Sequence, residues 1–246
     1  MDKPEKEVKT TVFEKLEERM ILNGTLTLKT PLHIGSQKTE LDIEQVDLPV
    51  IKDTQGQPYI PGSSLKGKVR SEAERIARKE GKAVCTPPNT RNMCGTLKSS
   101  IESLCICCRI FGTAGDNISV ASKTRFRDAY PKQPVSGTNI RAGIAMDRST
   151  GSVAKRALYS IESVPAGVTF GLEVVTENLT PDELKLLKAA LTSFADSGLG
   201  GSVSRGMGKI HLDLESATVR TSKYYLGEEK ERHLESQEFK TWWNKI

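Results

Sequence analysis

The sequence predicts an α+β fold, and three observations lead to that prediction. Apolar and polar residues alternate in several short segments, which is typical of strands with one buried face. Two longer segments repeat apolar residues at helical spacing. The chain has 246 residues, enough for one large domain with its own core. The regular segments follow each other as strand, helix, strand, strand, helix, strand, the order of a ferredoxin-like (RRM-like) split β-α-β core.

The first half of the chain supplies one strand and one helix to this core. Residues 20–29 alternate and are predicted to form the strand. Ser63 or Ser64 can cap a helix that runs to about Lys79, and Gly81 can end it. The helix has an apolar stripe, made by Leu65, Val69, Ala73, Ile76 and Ala77. Its opposite side is basic, so the helix is predicted to bury one face and expose the other.

The second half supplies the remaining elements. Further strands are predicted at 123–129, 158–164 and 168–176. The run from Thr180 to Glu183 is a capping box with proline at the first helical position, and Gly198 can end the helix that it starts. The last core strand is predicted from the alternation of Ile210, Leu212 and Leu214.

These elements define the expected domain organisation. A charged extension is predicted over residues 1–19, and one domain over 20–222, with insertions at 83–112 and 131–157. The tail, 223–246, is predicted to be helical from residue 228. It carries three apolar residues that can dock on this domain rather than on a neighbouring molecule: Trp242, Trp243 and Ile246.

Charge and hydropathy limit the possible functions. The net charge is +5, but residues 61–82 carry seven cations and three acids, and residues 123–156 carry eight and two. Such concentrations of positive charge are typical of phosphate-binding surfaces, although a solvated helix face would explain the first window equally well. Aromatic residues make up only 5%, which disfavours a surface built mainly from base-stacking rings. No apolar run is long enough for a bilayer and no signal region opens the chain, so a cytoplasmic protein without a membrane partner is expected.

Residues 198–210, GLGGSVSRGMGKI, form the most unusual local pattern. Backbone N–H groups in a glycine-rich turn can approach a phosphate closely, and Arg205 and Lys209 would add charge. The pattern fits neither a Walker loop nor a dinucleotide-binding turn, because the required residues do not follow the glycines. A nucleic-acid backbone or an ordinary flexible loop remains.

All five cysteines lie between residues 85 and 108, which predicts a metal site. Cys105 and Cys108 have the spacing of a zinc knuckle, and Cys85 and Cys94 would complete a four-thiolate site for a structural zinc ion. Reduced thiols without metal are the alternative. Cys107 could take the place of Cys108 as the ligand.

Carboxylates and histidines suggest catalysis only weakly. Residues 40–53 contain five acidic residues: Glu40, Asp42, Glu44, Asp47 and Asp53. Two of them near a phosphate could hold magnesium, but a solvated acidic loop explains the pattern as well. The three histidines lie far apart in sequence, and His33, beside Gly35, is the one candidate for histidine-based chemistry.

Five motifs together resemble one family. They are LHIGS at 32–36, VDLPVIKD at 46–53, IPGSSLKGKVR at 60–70, CRIFG at 108–112 and GLGGSVSRGMGKI at 198–210. In this order they resemble the RAMP superfamily, and within it the repeating backbone subunit of type III CRISPR–Cas effector complexes. The resemblance covers roughly residues 20–215. The cysteine-rich insertion is similar to that of zinc-bearing relatives, including type III-D members.

The resemblance implies partners and a set of RNA-binding residues. Such subunits stack along a guide RNA beside related RAMP proteins and small and large subunits, and they meet a complementary target RNA. Residues 131–157 would form a thumb hairpin that displaces one target nucleotide per subunit. The residues expected to contact RNA are His33, Ser63, Ser64, Lys66, Lys68, Arg70, Arg148, Ser204 and Arg205.

The resemblance also implies a catalytic residue. The position two residues before the Pro-Val of the acidic segment is Asp47, which would cleave target RNA with Mg²⁺ or Mn²⁺. Three alternatives stay open at this point. The chain could be a scaffold subunit beside a cutting paralogue, a metal-independent guide-processing ribonuclease that uses His33, or a generic RNA-binding protein with a zinc site.

Overall fold

The computed structural model describes residues 15–36 and 46–246. The strands within these residues are β1 Glu18–Leu28, β2 Thr124–Phe126, β3 Asn139–Met146, β4 Val153–Ser163, β5 Thr169–Glu177, β6 Ile210–Thr221 and β7 Arg232–Glu235. The α-helices are α1 Gly62–Lys79, α2 Cys94–Leu97, α3 Ile106–Phe111, α4 Pro181–Ser197, α5 Ser222–Tyr225 and α6 Ser236–Lys245. Short 3-10 turns occur at Thr90–Asn92 and Val203–Arg205. The fold is therefore mixed α and β, as the sequence predicts.

One antiparallel sheet organises the chain, with strand order β2-β5-β1-β6-β7. The central strand, β1, pairs with β5 from Arg19 opposite Glu177 to Thr27 opposite Thr169, and with β6 on its other side. Every second residue of β1 is buried, which is the alternation that predicts the strand. Strands β3 and β4 pair in a separate two-stranded sheet, and so form a hairpin beside the main sheet.

The core lies between the main sheet and the two long helices, which pack against each other. The predicted stripe of α1 is confirmed, since Leu65, Val69, Ala73 and Ala77 are all buried. The capping box of α4 is also confirmed: Thr180 accepts a hydrogen bond from the backbone of Glu183, and the Glu183 carboxylate accepts one in return.

The predicted cap of α1 is wrong. The N-cap residue is Pro61, and no side chain from the first turn of α1 caps the helix. Ser63 and Ser64 already lie inside the helix. The first N–H, that of Gly62, is satisfied from a distant segment, because it donates to Asp128 Oδ1 at 2.7 Å. Gly62 itself permits this close approach, since a Cβ there would lie 2.1 Å from the carbonyl oxygen of Phe126.

Three further boundaries differ from the predictions. The strand expected over 123–129 is only β2, and the strand expected near 158 begins earlier, at Val153. Its partner β3 lies in a segment without a core period, because β3 leaves nearly all of its side chains in solvent. The tail is not helical throughout: residues 232–235 form β7 on the edge of β6, with Leu234 buried.

The end of the tail, Ser236–Lys245, forms the helix α6, which packs on its own domain. Phe239 of α6 is buried, and Trp242 and Trp243 pack against the main core. Residues 1–14 of the expected N-terminal extension lie outside the described residues, as do Glu40, Asp42 and Glu44, and β1 already begins at Glu18. No helix within 15–36 and 46–246 is both long and apolar enough to cross a membrane.

Candidate nucleic-acid interface

The glycine-rich loop that follows α4 is held by the backbone of residues 31–33. Gly201 N donates to His33 O and Gly208 N donates to Pro31 O, both at 2.8 Å. The two ends of the loop also meet, since Leu199 N donates to Gly208 O at 2.9 Å. Gly208 has φ +74°, and a Cβ there would lie only 1.9 Å from Leu199 O. The loop is thus tightly packed against residues 31–33 and against its own other end.

The tip of this loop meets the hairpin. Arg205 Nη1 donates to the hydroxyl of Tyr159 on β4 at 2.8 Å. The Tyr159 ring lies across Gly143 of β3, where a Cβ would be 2.4 Å from the ring. A cavity of about 410 Å³ lies between loop and hairpin, and Arg141 and Met207 are among its lining residues. Sequence reasoning missed Tyr159 altogether, and Arg141 was marked only by the basic window around it.

His33 connects the glycine loop to β4. It is buried, and its Nδ1 lies 2.8 Å from the carbonyl oxygen of Glu162. Since a carbonyl oxygen can only accept, Nδ1 is the donor and carries the proton. The other side of the ring lies against Gly201, where a Cβ would come within 3.1 Å. His33 therefore holds two parts of the interface together.

The segment with Asp47 lies along the opposite edge of β4 from β3. Leu48 N donates to Ser160 O, and Glu162 N donates to Leu48 O, each at 2.9 Å. Asp47 Oδ2 accepts hydrogen bonds from Ser160 N at 2.9 Å and from Ser160 Oγ at 3.1 Å. Asp47 N donates in turn to Ser160 Oγ at 2.9 Å. The side chain of Asp47 is exposed, and Ser160 of the hairpin contributes three hydrogen bonds to its backbone and carboxylate.

Glu162 anchors the other end of the same segment. Its buried carboxylate accepts from Val50 N at 2.8 Å, and from Lys52 Nζ and Thr138 Oγ1 at 2.5 Å each. Burial raises the pKa of Glu162, but the hydrogen bonds from Lys52, Thr138 and Val50 outweigh it, so the pKa lies below its usual value. The ionised carboxylate of Glu162 thus joins the Asp47 segment to Thr138 at the foot of the hairpin. The backbone carbonyl of the same residue contacts His33. Sequence reasoning missed both Ser160 and Glu162.

The predicted RNA contacts of α1 differ in whether another side chain of the protein already pairs with them. Ser63 is exposed, and Ser64 and Lys66 are half-buried in the first turns. Burial and the neighbouring Arg70 both lower the pKa of Lys66, so an anion nearby would relieve an unfavourable charge. Lys68 instead pairs with Glu72 at 3.5 Å, and Arg70 donates to Glu74 and to Gly112 O.

The remaining predicted RNA contacts lie elsewhere. Ser204 is exposed beside Arg205 in the 3-10 turn, and Arg148 is exposed in the turn that joins β3 to β4. The structure therefore brings His33, the glycine loop and the Asp47 segment onto one continuous scaffold. The start of α1 is tied to Asp128 instead, and Arg148 stands at the far end of the hairpin.

The four predicted cysteine ligands converge. The sulfur atoms of Cys85, Cys94, Cys105 and Cys108 all lie within 4.8 Å of one another, and these residues could hold a metal ion. Cys85 Sγ is 3.4 Å from Cys108 Sγ and 3.8 Å from Cys105 Sγ. Two backbone N–H groups point at sulfurs, that of Cys105 at Cys94 and that of Cys108 at Cys105, each at 3.4 Å.

The packing separates Cys108 from Cys107. Cys107 is fully buried in the main core, and burial raises the pKa of its thiol to about 12. A hydrogen bond from Cys108 lowers the pKa of Cys105 to about 4, whereas burial raises the pKa of Cys94 to about 11 and the hydrogen bond to Cys105 raises the pKa of Cys108. Arg70 Nη2 lies 3.6 Å from Cys108 Sγ and brings positive charge to the cluster. Cys108 Sγ therefore lies with the other three sulfurs, whereas the side chain of Cys107 packs in the main core.

Comparisons with known proteins identify a family for the chain. The model of the RAMP superfamily matches residues 25–211. Two curated relatives are both named CRISPR system Cms endoribonuclease Csm3. The one from Methanocaldococcus jannaschii is 34% identical over 229 residues, which is 88% of each chain. The one from Methanothermobacter thermautotrophicus is 31% identical over 242 residues, 87% of this chain and 91% of the relative.

Two solved structures have a similar fold. The first is the crystal structure of the Csm3–Csm4 subcomplex in the type III-A CRISPR–Cas interference complex, with a TM-score of 0.58 and 28% identity over 94% of this chain and 97% of that one. The second is Methanopyrus kandleri Csm3, with a TM-score of 0.59 and 25% identity over 86% of this chain and 80% of that one.

Proposed function

Because this chain belongs to the RAMP superfamily, we propose that it is a backbone subunit of a type III CRISPR effector complex. In this role it binds guide RNA and cleaves the complementary target RNA as a divalent-metal-dependent endoribonuclease. The names of the curated relatives support the activity, and the Csm3–Csm4 subcomplex supports an assembly with other subunits of such a complex.

One observation carries the catalytic part: an exposed carboxylate, Asp47, is held on the same scaffold as the glycine-rich loop. Ser160 holds Asp47, Glu162 follows Ser160 on β4, and His33 links Glu162 to Gly201. A carboxylate beside a phosphate chain can help to bind Mg²⁺ or Mn²⁺, which would polarise a phosphoryl oxygen. Asp47 would then act on the displaced nucleotide, whose 2′-hydroxyl attacks the adjacent phosphate while the 5′-oxygen of the next nucleotide leaves.

The predicted guide contacts differ in their availability. Arg205 and Ser204 project from the loop, and Ser63, Ser64 and Lys66 lie at the start of α1, where the helix dipole favours anions. We expect these residues to contact the sugar-phosphate backbone. Smaller contributions come from the already paired Lys68 and Arg70, while the buried His33 shapes the loop and Arg148 reaches RNA at the hairpin turn.

The hairpin of β3 and β4 is the proposed thumb. Several of its apolar side chains are exposed, as a wedge between bases would require: Ile140, Ile144, Met146, Val153 and Leu158. The main sheet supports a ferredoxin-like core, since β2-β5-β1-β6 has the order expected when two split β-α-β units interlock. The core with its insertions, residues 20–222, is the proposed RAMP domain, preceded by a short extension and followed by the tail.

The cysteine cluster is the proposed structural zinc site. Zinc binds sulfur at about 2.3 Å, so four tetrahedral sulfurs lie roughly 3.8 Å apart. The distances of 3.4 and 3.8 Å from Cys85 to Cys108 and Cys105 fit that arrangement. Four protein ligands close the coordination sphere, so the metal would stabilise the insertion at 83–112 and take no part in cleavage. This insertion supports the likeness to zinc-bearing type III-D members.

A catalytically silent scaffold is the second candidate, and one experiment separates the two. The assembled complex with its guide is given labelled complementary RNA, with magnesium or with EDTA, and carries either Asp47→Ala or the control Asp213→Ala in this subunit alone. Asp213 is exposed on β6, remote in sequence from the Asp47 segment. Loss of magnesium-dependent cuts in Asp47→Ala only, with target binding preserved, is the expected result. An unchanged cut pattern would show that the subunit is a scaffold.

A further inference from the structure

The hairpin edge that faces the Asp47 segment forms a short hydrogen-bond ladder. Ser160 O accepts from Leu48 N, and Glu162 N donates to Leu48 O. In an ordinary strand pair the next acceptor along would be a backbone carbonyl. Here Ser160 N donates to Asp47 Oδ2 instead, so the aspartate side chain supplies the last rung.

The hydroxyl of Ser160 makes two further hydrogen bonds to Asp47. It accepts from Asp47 N and donates to Asp47 Oδ2, so one hydroxyl bridges the backbone and the carboxylate of the same residue. An exposed aspartate ordinarily samples several side-chain rotamers. Two donors on one oxygen, together with a backbone tether, select a single orientation and direct the carboxylate along the edge of β4.

We propose that Ser160 is a positioning residue for target-RNA cleavage, which fixes the orientation of the Asp47 carboxylate toward the scissile phosphate and its metal ion. This inference rests on the proposed function, in which Asp47 is the working carboxylate. Ser160 would act through Asp47 and not on the substrate or the metal directly. Glu162 supports the arrangement from two residues further along β4, because it holds Val50 and Lys52 and thereby keeps the segment on the strand.

Removal of the hydroxyl has a defined consequence. In Ser160→Ala the carboxylate keeps the hydrogen bond from the backbone N–H but loses the second donor, and Asp47 N loses its acceptor. Small errors in the position of a reacting group can cost on the order of a hundredfold in rate. Since the hydrogen bond from Ser160 N remains, we expect cleavage to slow by about tenfold to a hundredfold, with RNA binding unchanged.

The experiment compares three variants in the assembled, guide-loaded complex. Ser160→Ala removes the hydroxyl and Ser160→Thr retains one. Ser163→Ala removes a buried serine hydroxyl from the same strand, one that donates to Asn139 O at 3.4 Å and lies away from Asp47 in sequence. Single-turnover cleavage is measured at saturating complex, together with the target Kd and the Mg²⁺ and Mn²⁺ concentrations that give half of the maximal rate.

The expected result is specific to positioning. Ser160→Ala should slow cleavage and need several-fold more metal at an unchanged target Kd, whereas Ser160→Thr and Ser163→Ala should resemble the wild type. A rate for Ser160→Ala within about twofold of wild type would overturn the inference, as would a Ser160→Thr variant as slow as Ser160→Ala. Asp47→Ala, measured in parallel, separates the two levels. If it cleaves normally, the proposed function fails, and if it is inactive while Ser160→Ala is normal, only this inference fails.

Discussion

Substitution of Gly208 by alanine should destabilise the glycine-rich loop far more than the same change at Gly206. Both glycines have positive φ, +74° and +88°, so each alanine would pay roughly 1–2 kcal/mol for a left-handed conformation. A Cβ at Gly206 meets nothing within 4 Å, whereas one at Gly208 would lie 1.9 Å from Leu199 O. Gly206→Ala is therefore a matched control for conformational cost without collision.

The additional cost at Gly208 follows from the bonds that the collision breaks. If the loop moves apart to avoid the collision, it loses two hydrogen bonds, from Leu199 N to Gly208 O and from Gly208 N to Pro31 O. Each contributes about 1 kcal/mol. The total for Gly208→Ala is then about 3–4 kcal/mol, roughly 2 more than for Gly206→Ala. In a chain of this size 1 kcal/mol shifts Tm by about 2–4 °C, so the two Tm values should differ by about 4–8 °C.

Thermal unfolding followed by circular dichroism measures this difference directly. Guanidinium unfolding of the same variants gives the free energy of unfolding, and unchanged m-values would show that the folded states remain comparable. Equal Tm values for the two variants, within about 2 °C, would refute the reasoning, because the close contact between Gly208 and Leu199 would then not constrain the loop.

Three other predictions test separate features. Arg205→Ala should reduce the slope of log affinity for guide RNA against log salt by about 0.7, the loss of one single-strand phosphate contact, in binding titrations at several salt concentrations. Cys108→Ser should lower zinc content in metal analysis, whereas Cys107→Ser should keep the zinc and only lower Tm, because its thiol packs in the apolar core. Hydrogen bonds from Arg125 lower the pKa of Glu177 more than burial raises it, and Arg19 lowers it further. The stabilisation that the ionised Glu177 carboxylate gains from these two arginines is complete above its unfolded-state pKa of about 4.3. It is lost as pH falls through the lower folded-state pKa. Urea unfolding from pH 7 to pH 3 should therefore show a smaller acid loss in Glu177→Gln than in the wild type.

The features that sequence predicted well are those that arise within a few residues. The apolar stripe of α1 follows from helical spacing alone, and the capping box from Thr180 to Glu183 closes within one turn. The cysteine spacing likewise brought out the four residues whose sulfurs converge. In the two helices the partners are close in the chain, so their geometry is set by the local backbone. The cysteines lie up to 23 positions apart, and their residue type and spacing marked them instead.

The features that sequence missed join segments far apart in the chain. Asp128 satisfies the start of α1 from 66 positions away, which no inspection of Ser63 or Ser64 could reveal. The strand β7 exists because β6 offers it an edge, although the surrounding tail has a helical composition. The strand β3 was missed for the opposite reason: it buries almost none of its side chains, so no alternation marks it.

The candidate site shows the same division. Resemblance marked Asp47 and Arg205, and the sequence motifs around them are continuous and therefore readable. Their partners Ser160 and Tyr159 are ordinary residues in a basic segment, 113 and 46 positions away. Local order thus specified the helices, the cysteine ligands and the glycine loop. The packing of β4 against distant segments determined how those parts meet, because hydrogen bonds and close contacts of this kind form only once the chain has folded.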